Sequence, residues 1–449
     1  MISKRKHLFM YIATGVTIVV LSMILINPSV ILASYNYSYI EVEGGISITA
    51  APEMVGDTLE VPSEIDDKTV VQIATGAFKN ASHVTELIIP KTVKEIECGA
   101  FSGMKYLETI TLPFIGATSD ATGVEKTLGY MFGSITGTGV YTRQVYSETG
   151  SEGYYLPHNL KTITVLGGNL GYGSFSNCKS LETVVILSDD VTEVPAYTFK
   201  STSALQKVVL PEGVTTIGNK AFYRSGVQSV NLSNITYIGN EAFVDANIKM
   251  LDISSVNSIG NKAFYGLSQL KDITFGENLQ SIGQYAFAHC SLLAEVNLPA
   301  SVSVIGKGVF YQDTRLTTIN CDSTYFTVED NVLYRKDKEE LLVYPAGKTN
   351  VAFSVPDSVY MIEEQAFNGN KYLQTITVSA NTSQIGYAAF SACPSLKSLN
   401  VYFEGAHADA GGEEAMQGYM FGKIPFENCV TQADYYCFPK NVTVTILGQ

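Results

Sequence analysis

The 449-residue chain contains no tryptophan and only five histidines and seven cysteines. Each scarcity excludes some chemistry. His7, His83, His158, His289 and His407 share no spacing, and none forms an H-E-x-x-H helix or a Cys/His cluster, so the familiar zinc arrangements are missing. G-x-S-x-G, the phosphate-cradling P-loop and the dinucleotide fingerprint are also missing. The acidic pairs Asp189-Asp190 and Glu329-Asp330 have no D-x-D-x-D-G loop around them. The expectation is a protein without catalysis, cofactor or metal.

Charge is absent from His7 through Ile40, directly after Lys4, Arg5 and Lys6. Leu8 to Ile26 is long enough to span a bilayer, and Ile31-Leu32-Ala33 before Ser34 resembles a signal-peptidase site. Residues 1–33 therefore read as a cleaved signal peptide or as an uncleaved N-terminal anchor. In either case the basic end stays inside and the rest is placed outside, in the extracellular space or at the cell surface. The remainder carries 26 basic and 43 acidic residues, a net charge of −17. That balance argues against nucleic acid and anionic lipid as partners, leaving membrane contact to the N-terminal segment.

What is present is a repeat. An aliphatic residue is followed five positions later by phenylalanine at Ile73/Phe78, Ile96/Phe101, Leu170/Phe175, Val194/Phe199, Ile217/Phe222, Ile238/Phe243, Ile259/Phe264, Ile282/Phe287, Ile305/Phe310, Ile362/Phe367 and Ile385/Phe390. Most successive phenylalanines lie 21 to 24 residues apart, the period of a solenoid. A second block, L-x-x-V-x-L, recurs as Leu205/Val208/Leu210 and Leu293/Val296/Leu298. Its last three residues alternate in and out like a short strand. The expected fold is a stack of about 11 to 13 coils, mainly β, with a parallel sheet on one face and short extended pieces and helical turns elsewhere.

Cys178, Cys290 and Cys393 each follow a repeat phenylalanine by three residues, a core position where cysteine acts as a small apolar side chain. Cys429 and Cys437 are near enough in sequence to form a disulfide.

The consensus L-x-x-I-x-L-P followed by V-x-x-I-G-x-x-A-F-x-x-C resembles that of the BspA-like leucine-rich repeats, with Leu293 to Phe310 and Ile282-Gly283 to Phe287 and Cys290 the closest matches. The likeness runs from about residue 67 to 449. It implies a bacterial-type surface protein that adheres to an extracellular protein or glycan ligand. The organisation read from the chain is an N-terminal cap over 34–66, repeats over 67–112, an insertion over 113–168, repeats over 169–322, an irregular hairpin-containing repeat over 323–355, repeats over 356–401 and a second insertion over 402–449. The insertions copy one another: Gly-Tyr-Met-Phe-Gly occurs at 129–133 and at 418–422. From Phe101 to Phe175 there are 74 residues, of which about 51 read as extra to one coil. The second copy stops at Gln449 on a strand-like run, which reads as an uncapped end.

Two surfaces are candidates for binding. Strand alternation turns Thr183, Lys207, Ser229, Asn231, Asp252, Asp272, Thr274, Glu295, Asn297, Thr318 and Asn320 outward as a polar ribbon. The insertions offer the aromatics Tyr130, Phe132, Tyr419 and Phe421. Alternatives to adhesion are a structural surface scaffold or spacer, or the accessory repeats of a truncated larger surface protein or enzyme.

Overall fold

The computed structural model describes residues 36–52, 56–79, 81–137, 139–423, 429–432, 436–439 and 441–448, with backbone alone for 429–432 and 436–438. The signal or anchor expected over 1–33 lies outside these residues. From Tyr37 onward the chain is one repetitive unit, a parallel β-solenoid of about 15 turns with little helix.

Each coil has three sides. The first is the main sheet, whose rungs run from Thr58–Glu60 to Thr443–Ile446. Its rungs stack parallel and level, so that Ile110, Ile163, Val184 and Val208 form one buried column. The second side is a two-residue strand at the aliphatic position of the repeat, as in Thr216–Ile217 over Tyr237–Ile238. Where a glycine follows it the coils approach closely: a Cβ on Gly283 would lie 2.5 Å from the Asn261 nitrogen of the coil before.

The third side carries the phenylalanines. Phe175, Phe199, Phe222, Phe243, Phe264 and Phe287 stack with ring centroids 4.8 to 5.4 Å apart. Offset stacking at this spacing adds to the burial term. Around them the backbone makes another ladder: Lys220 N–H to Asn240 O at 2.9 Å, Phe222 N–H to Ala242 O and Arg224 N–H to Val244 O at 2.7 Å. Lys220 and Arg224 take φ of 56° and 52°. Non-glycine residues tolerate this left-handed region only when their surroundings enforce it, and here the ladder does so.

The turn count exceeds the 11 to 13 expected because the long intervals contain whole coils. Between Phe101 and Phe175, Phe132 fills a ring position 5.7 Å from Phe101, and Thr162–Val165 supplies a rung between Thr109–Leu112 and Thr183–Ile186. The 74-residue interval is therefore two coils. The excess sits in a loop over 118–127 and in a hairpin, Val140–Val145 against Ser151–Leu156. The second insertion has the same element order, with a hairpin of Cys429–Gln432 against Tyr436–Pro439 and a rung at Thr443–Ile446. Between Phe310 and Phe367, Tyr344 takes the ring position, stacked 5.0 Å from Phe367. Ahead of it, Phe326–Glu329, Val332–Arg335 and Glu340–Val343 form an antiparallel meander that rejoins the stack at Met361–Ile362. Lys348 pins the meander turn through Asp330, with Nζ 2.8 Å from the carboxylate.

Candidate binding face

The main sheet buries one set of side chains and presents the other. Val184, Val208, Leu251, Val296 and Ile319 point inward and are buried. Thr183, Lys207 and Thr318 are half-buried, and Ser229, Asn231, Asp252, Asp272, Thr274, Glu295, Asn297 and Asn320 are exposed. Register lines them up: Thr183, Lys207 and Ser229 share a column, as do Asp252 and Thr274, and Asn297 and Asn320. Asn320 donates to Asn297 Oδ1 at 2.7 Å and to Glu295 Oε1 at 3.0 Å. No ion pair among the described residues involves Asp252, Asp272 or Glu295.

Asn231 is exposed but committed. Its side chain accepts from Leu210 N–H at 2.8 Å and donates to Leu210 O at 2.9 Å, copying a backbone bridge to the preceding rung. The main sheet is interrupted at three places among the described residues, after Ser229–Val230, after Asp272–Phe275 and after Thr318–Cys321, and a groove lies at the first. Ser229–Val230 ends a seven-rung sheet, and Met250–Ile253 begins a new one paired only with Asp272–Phe275. The break opens a groove of about 600 Å³, walled by Ser229 to Ser233 on one side and Ile248 to Asp252 on the other. Met250 on its wall is 73% exposed. Below the break the coils stay closed: the Phe222 and Phe243 rings are 4.8 Å apart, and Asn247 N–H reaches Val227 O at 3.1 Å.

The insertion aromatics divide. Phe132 and Phe421 are each 1% exposed and cannot serve as contact surface. They occupy ladder positions, because Gly-Tyr-Met-Phe-Gly is the insertion's version of the repeat's helical turn. The backbone shows the equivalence: Phe101 N–H donates to Met131 O and Phe390 N–H to Met420 O, both at 2.9 Å. Tyr130 and Tyr419 remain half-exposed. Register sets Cys437 opposite Thr431 and Cys429 opposite Pro439; the side chains of the two cysteines lie outside the described residues. Cys178, Cys290 and Cys393 are buried in the core, and burial pushes the Cys393 thiol up to about 12.

One feature of the first insertion gives no sequence signal. Its loop makes a second cleft of about 450 Å³, between Lys91 and Lys94 and the pair Asp189-Asp190. Behind that loop Lys126 is buried and donates to the Ser119 and Thr118 carbonyls at 2.6 and 3.2 Å. Burial without a carboxylate in contact pulls its pKa down to about 8. The second copy has Ala415 at this place, so alignment of the copies offers no hint of a role for Lys126.

A family model of the BspA type leucine-rich repeat region matches residues 64–120, 147–249, 236–352 and 347–446. The chain belongs to this family. No curated protein matches this BspA-type chain. Solved structures similar to it include a leucine-rich repeat protein from Eubacterium ventriosum ATCC 27560, at 21% identity over 59% of this chain and 73% of that one, with a TM-score of 0.42. A leucine-rich cell surface protein from Faecalibacterium prausnitzii A2-165 is 22% identical over 81% and 74%, with a TM-score of 0.31. The pneumococcal vaccine antigen PcpA is 18% identical over 87% and 92%, with a TM-score of 0.38. Among the described residues of this BspA-type chain, no helix is long and apolar enough to cross a membrane.

Proposed function

We propose that this BspA-type protein is exported to the cell surface and binds an extracellular protein or glycan ligand through its main sheet, in an adhesion-type role without catalysis. The observation that carries the reading is the state of that face. Its outward side chains stand in columns, and its carboxylates Asp252, Asp272 and Glu295 lack cationic partners among the described residues. Extended repeat surfaces commonly receive partners, and the basic start followed by an uncharged apolar run supports export.

The test is an array of extracellular-matrix proteins, glycans and host-cell surfaces probed with the purified chain. Binding is expected, and it should weaken at least tenfold when Asp252, Asp272 and Glu295 are all changed to lysine, with the unfolding midpoint unchanged. Absence of binding across the whole array overturns the reading. Protease accessibility on intact expressing cells tests the surface placement.

A further inference from the structure

The first of the three breaks in the main sheet, the one that opens a groove, names a ligand class for the face proposed above, and the inference rests on that proposal. In a parallel ladder, alternate residues of a rung turn both N–H and C=O toward the same neighbour. Here the first residue of a rung faces backward: Thr109 N–H reaches Thr85 O at 3.0 Å, Ser229 N–H reaches Gln206 O at 3.1 Å and Thr375 N–H reaches Val351 O at 3.1 Å. Met250 holds this position in its rung and Asp252 is the next residue turned the same way. The preceding rung has parted from them, and no ladder pairing crosses the break. The groove is thus walled by strand edges, those of Met250 and Asp252 facing that of Val230.

Exposed strand edges recruit extended chains by main-chain hydrogen bonding. No aromatic ring lines the groove, so the stacking platform that sugar faces favour is missing. Met250 contributes a flexible apolar wall that adapts to varied side chains. Asp252 lies on the groove and Asp272 on the rung beyond it, without ion pairs among the described residues. Lys249 is three residues from Asp252, about 10 Å along a strand, and does not pair with it. These features fit a cationic extended peptide better than a glycan.

We propose that the groove between Ser229–Val230 and Met250–Ile253 receives an extended segment of a partner polypeptide. The segment hydrogen-bonds through its main chain to Met250 and Asp252 and sets a lysine or arginine against Asp252 and Asp272.

The test titrates the full-length chain, in mild detergent, with a fluorescent, end-blocked hexapeptide of alternating threonine and valine with one central lysine. Saturable binding is expected. It should fall at least tenfold when alternate peptide amides are N-methylated, when the lysine becomes glutamate, and in the Asp252→Lys variant with the parent peptide. Equal binding of the N-methylated peptide overturns main-chain pairing. Equal binding of the glutamate peptide overturns the charge assignment. If the chain captures an array ligand but no form of the peptide, the peptide inference fails while the adhesion reading stands. If it captures neither, both fail.

Discussion

The regular coils and the irregular ones are held together differently. From Ser203 to Gln312 the coils keep to the period, and Ser225 is the one buried polar or charged side chain among the described residues. Backbone ladders and ring stacking suffice there. Around the first insertion Lys126, Thr127, Thr142, Gln144, Ser174 and Ser176 are all buried, and around the meander so are Asp313, Ser323, Lys348, Asn368 and Asn370. Gln144 shows why. The backbone ladder that elsewhere joins successive helical turns is displaced between the Phe132 and Phe175 coils, and the hairpin reaches across instead. Gln144 Oε1 accepts from Gly129 N–H at 2.5 Å, while Nε2 lies 3.0 Å from Ser174 O and 3.3 Å from Ser176 O. Asn370 does likewise beside the meander, accepting from Tyr372 and Leu373 N–H and donating to the Pro345 and Lys348 carbonyls. A coil can change length freely provided that one ring enters the ladder and buried amides replace the lost backbone bonds.

The sharpest way to break this contrast is to remove a ring from each kind of coil. Phe264→Ala, between rings 5.4 and 5.2 Å away, should cost about 3–5 kcal/mol in urea unfolding. Phe132→Ala should cost as much, since that ring is equally buried. A loss below about 1 kcal/mol at Phe132 would show that the enlarged coil is an appendage rather than a turn of the stack.

Next in size is Gln144→Ala. It removes the bridging amide from the buried Gly129 N–H and the Ser174 and Ser176 carbonyls, at a cost of about 3 kcal/mol. Hydrogen exchange should rise locally over 140–156 before global unfolding. Uniform exchange across the chain would count against a hairpin held by this one residue.

These contrasts bear on what the sequence makes legible. The aliphatic-to-phenylalanine step places eleven rings correctly because the spacing reflects one coil geometry. It misses Phe132, Tyr344 and Phe421 because the residues five before them are Thr127, Glu339 and Met416, and because the second of these rings is a tyrosine. In those coils the second-side contact falls at another spacing, at Ala117 fifteen residues before Phe132, at Ala406 fifteen before Phe421 and at Leu341 three before Tyr344. Strand alternation likewise finds the outward ribbon but not that Asn231 spends its amide on Leu210. The groove is a tertiary event, although its rungs lie in the two shortest coils, 21 residues each between Phe222, Phe243 and Phe264.

The smallest predicted effect concerns Asp313, which fills the column position three after phenylalanine that Asn370 fills elsewhere. It is completely buried. Oδ1 accepts from Cys290 N–H at 2.7 Å, but Oδ2 has no hydrogen-bond partner. Burial raises its pKa well above the usual carboxylate range, so the neutral acid is favoured in the fold while the unfolded chain ionises near pH 4. A raised folded pKa means that the group's stabilising contribution is complete below about pH 4. That contribution is lost as pH rises toward the folded value. Asp313→Asn has no proton to lose. It should therefore match the parent at pH 4 and gain about 1–2 kcal/mol at pH 7, read as the difference in urea midpoints at the two values. A loss of stability at pH 7 would mean that the ionised carboxylate is held by a favourable partner. The irregular coils would then owe stability to a buried charge, as well as to buried amides.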